Sequence, residues 1–243
     1  MNWTAQTDGY CERLDFSFWA EPLNAVTNIS FIIAAIFMWK RCKGLTLARI
    51  LCGILFLLGI GSFLFHTTAT NWAMAADVLP IMLFVAVLLF GLGAQLPAIF
   101  GPQGGQGSGQ SGGQSGGQSG LPWRNWLSGS GLVLFFLPFN VALAPMFQRI
   151  TLLGSSAGYF PVPSILGLYI LAVMRRAPRL ARNLAIGLAV MLISLTIRTI
   201  DLPLCEAWPY GTHFLWHSIN GAMLAWFIEA YRRHMLEGGR AAR

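Results

Sequence analysis

The sequence predicts an all-α, polytopic membrane protein: a seven-helix transmembrane bundle with its N-terminus outside and its C-terminus in the cytoplasm. Three observations lead there. Hydrophobic residues make up 55% of the 243 and charged residues only 10%, a balance too apolar for one soluble core. Seven apolar runs follow one another, each near the roughly 20 residues that cross a bilayer as a helix. The lysines and arginines gather in alternate connections between those runs, as the positive-inside rule requires. That placement, and not an affinity for nucleic acid, accounts for the net charge of +7.

Taken in order, residues 1–23 are polar and acidic, with neither the basic start nor the apolar centre of a cleavable signal peptide. They form an outer segment ahead of a membrane domain over 24–243. The apolar runs cover about 24–39, 46–65, 77–97, 126–144, 155–174, 183–201 and 212–231. Asn24, Thr27, Asn28 and Ser30 dilute the start of the first. Asn24 and Asn28 share a helix face expected to point into the bundle, where amides find partners that lipid does not supply. Residues 101–120 are a Gly/Gln/Ser tract, expected to be a flexible cytoplasmic linker. Trp19, Trp39, Trp72, Trp126 and Trp208 lie near run ends and read as interfacial anchors.

The basic residues set the orientation. Lys40, Arg41, Lys43 and Arg49 lie between the first two runs, Arg124 before the fourth, Arg175, Arg176, Arg179 and Arg182 between the fifth and sixth, and Arg232, Arg233, Arg240 and Arg243 after the seventh. All fall on one side, which is therefore the cytoplasmic one. Only Arg13, Arg149 and Arg198 lie on or near the other. Seven of the nine acidic residues fall outside or at outer helix ends: Asp8, Glu12, Asp15, Glu21, Asp77, Asp201 and Glu206.

This topology, assigned from basic residues alone, brings one set of chemically active side chains to a common level. Ser62 and His66 are four apart and share a helix face, Asp77 opens the third run, and His213 and His217 repeat the four-residue spacing at the start of the seventh. Three histidines with a carboxylate are the ligand-and-base inventory of a catalytic zinc site. Zinc on three imidazoles leaves a position for water; Asp77 would carry its proton and Ser62 would donate to an oxyanion. Taken singly, each residue also has a structural reading. The histidines could be hydrogen-bonded into the bundle, Ser62 could be a small interface residue, and Asp77 could cap its helix.

Asp8, Glu12, Asp15 and Glu21 gather hard oxygen ligands suited to calcium, without EF-hand spacing; on ligand spacing alone a solvated acidic segment, obeying the charge bias of the topology, is the favoured reading. Cys11 and Cys205 both fall outside, where an oxidising compartment would allow a disulfide, while Cys42 and Cys52 are expected to be free. Arg198 and Asp201 are expected to pair with each other or with Glu21, in a structural role.

The motifs Cys11-Glu12, Glu21-Pro-Leu-Asn24 with Asn28, Gly61-Ser62-Phe-Leu-Phe-His66, Asp77 with Pro80, and His213-Phe-Leu-Trp-His217 resemble, in this order, the alkaline ceramidase family. That family sits in a superfamily of seven-helix membrane hydrolases that also takes in adiponectin-receptor-like and GPI-lipid-remodelling proteins. The resemblance implies zinc on His66, His213 and His217, Asp77 as proton carrier and Ser62 as oxyanion donor. It further implies calcium on the N-terminal acids, Glu12 and Glu21 above all. The family's Asp-Trp-Cys-Glu-x-Asn run reads here Gly9-Tyr10-Cys11-Glu12-Arg13-Leu14, lacking an acid and an amide, so Asp8 and Asp15 would have to stand in. The gap to Glu21 and the loop from Cys205 to His213 are also shorter.

The expected activity is amide hydrolysis of a ceramide-like membrane lipid to a sphingoid base and a fatty acid. The setting would be a bilayer, for a bacterial-type member the inner membrane, with the site near the periplasmic face. The oligomeric state is not fixed by the sequence. Competing readings are a zinc hydrolase of another lipid amide or ester, a seven-helix lipid receptor with structural zinc, and an ion transporter. The last is disfavoured by the scarcity of polar residues in the inner halves of the runs.

Overall fold

Every apolar run folds as helix, and where a run breaks the local residues explain it. The computed structural model describes residues 2–7, 9–101 and 122–241, so most of the Gly/Gln/Ser tract lies outside the described residues, as does Asp8. The first run is split into α1 (Pro22–Thr27) and α2 (Ile29–Arg41) at Asn28. Pro22 stands in the first turn, where its missing N–H is no loss. The free Leu23 and Asn24 amides donate to the Glu12 carboxylate at 2.7 and 2.8 Å, which satisfies orphan groups of the helix start.

Helix α3 (Thr46–Thr68) closes on Ala69 in the left-handed conformation, and α4 (Asn71–Gly93) continues through Pro80 to a short α5 (Leu96–Phe100). Because α4 begins six residues earlier than its apolar run, Asp77 does not open the helix. It lies in the second turn, and Thr70 holds the N-cap position. Helix α6 (Trp123–Gln148) leads into a 3-10 segment, Thr151–Tyr159, which meets α7 (Pro161–Val173) at a bend of 71°. The chain ends with α8 (Pro178–Thr199), a single 3-10 turn over Leu202–Leu204, and α9 (His213–Ala241).

Among the described residues, five helical stretches are long and apolar enough to cross a membrane, or six if the bent pair forms one span. Helix α9 is not among them; His213, His217, Asn220 and Glu229 interrupt its apolar sequence, and all four are buried. These stretches make the chain an integral membrane protein. Helix α6 shows why: Leu134, Phe135, Leu137 and Val141 are all more than half exposed, a surface suited to lipid and not to water. The five predicted tryptophan anchors are also exposed.

The core runs between α2, α3, α4, α8 and α9, around Phe31, Leu55, Phe84, Leu184, Phe227 and Ile228. Two devices position the functional end. Gly61 lets α3 and α4 touch, since a Cβ there would collide with the Ala76 carbonyl; the next residues along, Ser62 and Asp77, are thereby pressed together. The N-terminal segment is laced across that end. Thr7 donates to the Ala69 carbonyl at 2.7 Å and Asn71 to the Ala5 carbonyl at 3.0 Å, and Cys11 is joined to Cys205 by a disulfide with 5.2 Å between Cα atoms.

Candidate metal centre

His66 sits in the last turn of α3, and His213 and His217 lie one turn apart at the start of α9. The α9 start is fixed by Asp201, whose Oδ1 accepts from the Thr212 and His213 amides at 2.6 and 2.9 Å, while Oδ2 accepts from the Cys11 amide at 3.3 Å. Gly211, at φ +60°, allows the turn that brings those amides round, and the Asp201 carboxylate fills the space a Cβ there would need. Asp201 is thus a helix cap and does not pair with Arg198 or Glu21. Arg198 instead lies over the Tyr159 and Trp216 rings and donates to the Ser155 carbonyl at 2.9 Å.

The three imidazoles converge. Ring centroids are 4.7 Å apart for His66 and His217, 4.5 Å for His213 and His217, and 5.2 Å for His66 and His213. One ligand nitrogen from each lies within 4.8 Å of the other two, and all three rings are buried. Nε2 of His66 and Nε2 of His217 have no hydrogen-bond partner, while the opposite nitrogens are held: His66 Nδ1 by Glu21 Oε2 at 2.5 Å and His217 Nδ1 by Thr27 Oγ1 at 3.2 Å. Orienting one ring nitrogen from behind, so that the other points inward unpaired, is how metal-ligating histidines are fixed. Buried nitrogens left unpaired cost free energy unless a cation meets them. The cluster could therefore hold a metal ion, and three imidazole donors are consistent with zinc.

Ser62 and Asp77 border the cluster. Both are buried, and Ser62 Oγ and Asp77 Oδ1 lack hydrogen-bond partners. Asp77 lies close enough to Ser62, His66 and Arg198 for each to act on its carboxylate. On the other side Tyr10 covers the rings, its centroid 3.9 Å from that of His213 and 5.0 Å from that of His66. Trp216 stacks on His213 at 5.0 Å and, with Phe31, Val85, Tyr159 and Leu224, lines an apolar cavity of about 70 Å³ beside the histidines.

The three described acids of the N-terminal segment, Glu12, Asp15 and Glu21, present no calcium shell. Glu12 spends both oxygens on the α1 amides, and burial, the larger effect, pushes its carboxyl above the ordinary value despite those donors. Asp15 is exposed and accepts from the Ser17 amide at 2.8 Å, and hydrogen bonds from Ser17 hold its carboxyl below the ordinary range. Glu21 is buried between Arg13, His66 and Asn24. Burial alone would raise its carboxyl, but these partners outweigh it and hold the pKa below the usual value. No open shell of oxygens remains among the described residues of this segment.

Sequence reasoning missed Tyr10, Arg13, Thr27 and Asp201 as parts of the site. For Arg13 and Arg198 a signal existed, because both break the charge bias that places arginines on the opposite side. A ceramidase family model matches residues 2–237. No curated protein matches the chain.

Proposed function

The chain belongs to the ceramidase family, and from that premise we propose that it is an intramembrane, zinc-dependent hydrolase cleaving the amide bond of a ceramide-like lipid to a sphingoid base and a fatty acid. The observation that carries this reading is the convergence of unpartnered buried atoms: Nε2 of His66 and His217, Ser62 Oγ and Asp77 Oδ1. A bundle that needed these residues only for packing would pair them.

His66, His213 and His217 would hold the zinc, which when bound supplies a water acidic enough to be a nucleophile near neutral pH. Asp77, with Oδ1 unbonded, takes up a proton as the amide carbonyl is attacked and returns it to the departing amine nitrogen. Ser62 Oγ–H, which lies beside Asp77, donates to the oxygen that becomes anionic. The apolar cavity beside Trp216 suits hydrocarbon, and the exposed apolar helix faces support a substrate drawn from the bilayer. In this reading α9 and the bent pair complete seven spans, with the N-terminus outside. The site then lies near the outer face, periplasmic if the membrane is a bacterial inner one.

A receptor with structural zinc is less well supported, because no fourth His, Cys, Asp or Glu joins the three histidines among the described residues, and a closed structural site takes four ligands. The purified protein should release fatty acid from N-acyl sphingoid bases in a lipid panel. Turnover of glycerolipids alone would replace the substrate class, and turnover of none would favour the receptor.

A further inference from the structure

The misfit of the N-terminal segment to calcium has a cause visible at one residue. Arg13 is buried, with 5% of its surface exposed, and it uses all three guanidinium nitrogens. Nε pairs with Glu21 Oε1, Nη1 donates to the Asp15 carbonyl at 2.9 Å, and Nη2 donates to the His66 carbonyl at 2.9 Å. A carboxylate and two main-chain carbonyls are the oxygen donors that a hard divalent cation gathers; here a planar fork of N–H groups takes them. The His66 carbonyl belongs to the last turn of α3, where helix carbonyls lack internal partners and a positive charge is favoured.

We propose that Arg13 is a positioning residue, the built-in cation of this segment: it holds the main chain of His66 directly and its imidazole through Glu21, and so replaces a divalent ion. The linkage is continuous. Glu21 presents one oxygen to Arg13 and the other to His66 Nδ1, where the Asn24 amide also donates at 2.9 Å. With Nδ1 fixed by a carboxylate, the Nε2 lone pair points to His213 and His217. Without Arg13, the Glu21 carboxylate loses its counter-charge, and the α3 end loses the contact that sets the height of His66. This also explains an arginine standing against the charge bias of the chain.

The inference rests on the metal-centre reading above, and the test separates the two. Zinc dissociation constants are measured by chelator competition for wild type, Arg13→Met, Glu21→Gln and Arg13→Met/Glu21→Gln, in excess calcium and in buffer freed of calcium beforehand. The cobalt-substituted visible spectrum of each reports histidine geometry. The wild type is expected to bind zinc equally in both conditions. Arg13→Met should weaken zinc by roughly 10- to 100-fold and alter the cobalt spectrum. The double variant should be weaker than Glu21→Gln alone, yet by less than the two single losses together, because part of the effect passes through that carboxylate and part through the His66 carbonyl. Should Arg13→Met not fold, Arg13→Lys keeps the charge but loses the fork, and weaker zinc at an unchanged melting temperature is expected. Calcium dependence in the wild type, wild-type zinc affinity in the arginine variants, or fully additive losses would each overturn the inference alone. A wild type that takes up no zinc overturns the metal centre, and the inference falls with it.

Discussion

The two ends of the bundle treat buried polarity in opposite ways. At the end away from the histidines, polar groups are few and almost fully bonded: Glu229 takes Arg41 at 3.1 Å, Arg232 at 2.7 Å and Arg233 at 2.8 Å, and the Tyr169 hydroxyl donates to the Leu92 carbonyl at 2.9 Å. Among the described residues, Arg49 Nε is the exception there. At the histidine end, Ser62, His66, Asp77, His213, Trp216 and His217 each leave a buried polar atom without a partner. Both ends carry charge inside a membrane protein, so burial alone does not distinguish them. Unspent hydrogen-bonding capacity does, and it marks where a ligand is to be met.

If that contrast is functional, changes at the two ends should separate metal and turnover from stability. The largest effect is expected from His213→Ala, which should take zinc per protein from one to none and hydrolysis to background, with helix content by circular dichroism unchanged. Retained zinc would break the contrast at its root. Phe227 lies in the apolar core, packed against Gly187. Phe227→Ala should cost about 3–5 kcal/mol in unfolding measurements while the folded fraction keeps its zinc. Ser62→Ala removes one small buried hydroxyl beside Asp77 and leaves the helix packing in place, so stability should change little. Turnover should fall by roughly 10²–10³, about 2.7–4 kcal/mol of transition-state stabilisation. Loss of stability without loss of rate would return Ser62 to a packing role.

Much of this was legible in the sequence because membranes simplify the code. Length and apolarity mark the helices, basic residues give a consistent side, and the four-residue spacings put Ser62 with His66 and His213 with His217. What periodicity does not carry is the bonding of the N-terminal segment. Asp201 caps a helix that starts twelve residues later, reached only because Gly211 turns the chain back. Glu12 caps α1 from outside its own element. Glu12, Asp15 and Glu21 read as calcium ligands in a sequence because it shows carboxylates and not the donors that consume them; Arg13, adjacent to Glu12, is the contrary signal. The apolar run begins at Asp77 and so puts it at a helix start, whereas the backbone already turns at Asn71, where Thr7 and the Asn2 carbonyl bond the Asn71 side chain.

The central claim is that the histidine end holds a zinc ion with chemistry still to perform, and Asp77→Ala addresses it most directly. Zinc per protein and fatty-acid release from ceramide are to be measured on the same preparations of wild type and variant. The account predicts one zinc in both and hydrolysis in the wild type only. A variant that hydrolyses ceramide at the wild-type rate, or a wild type that binds zinc and hydrolyses no lipid amide, would contradict it.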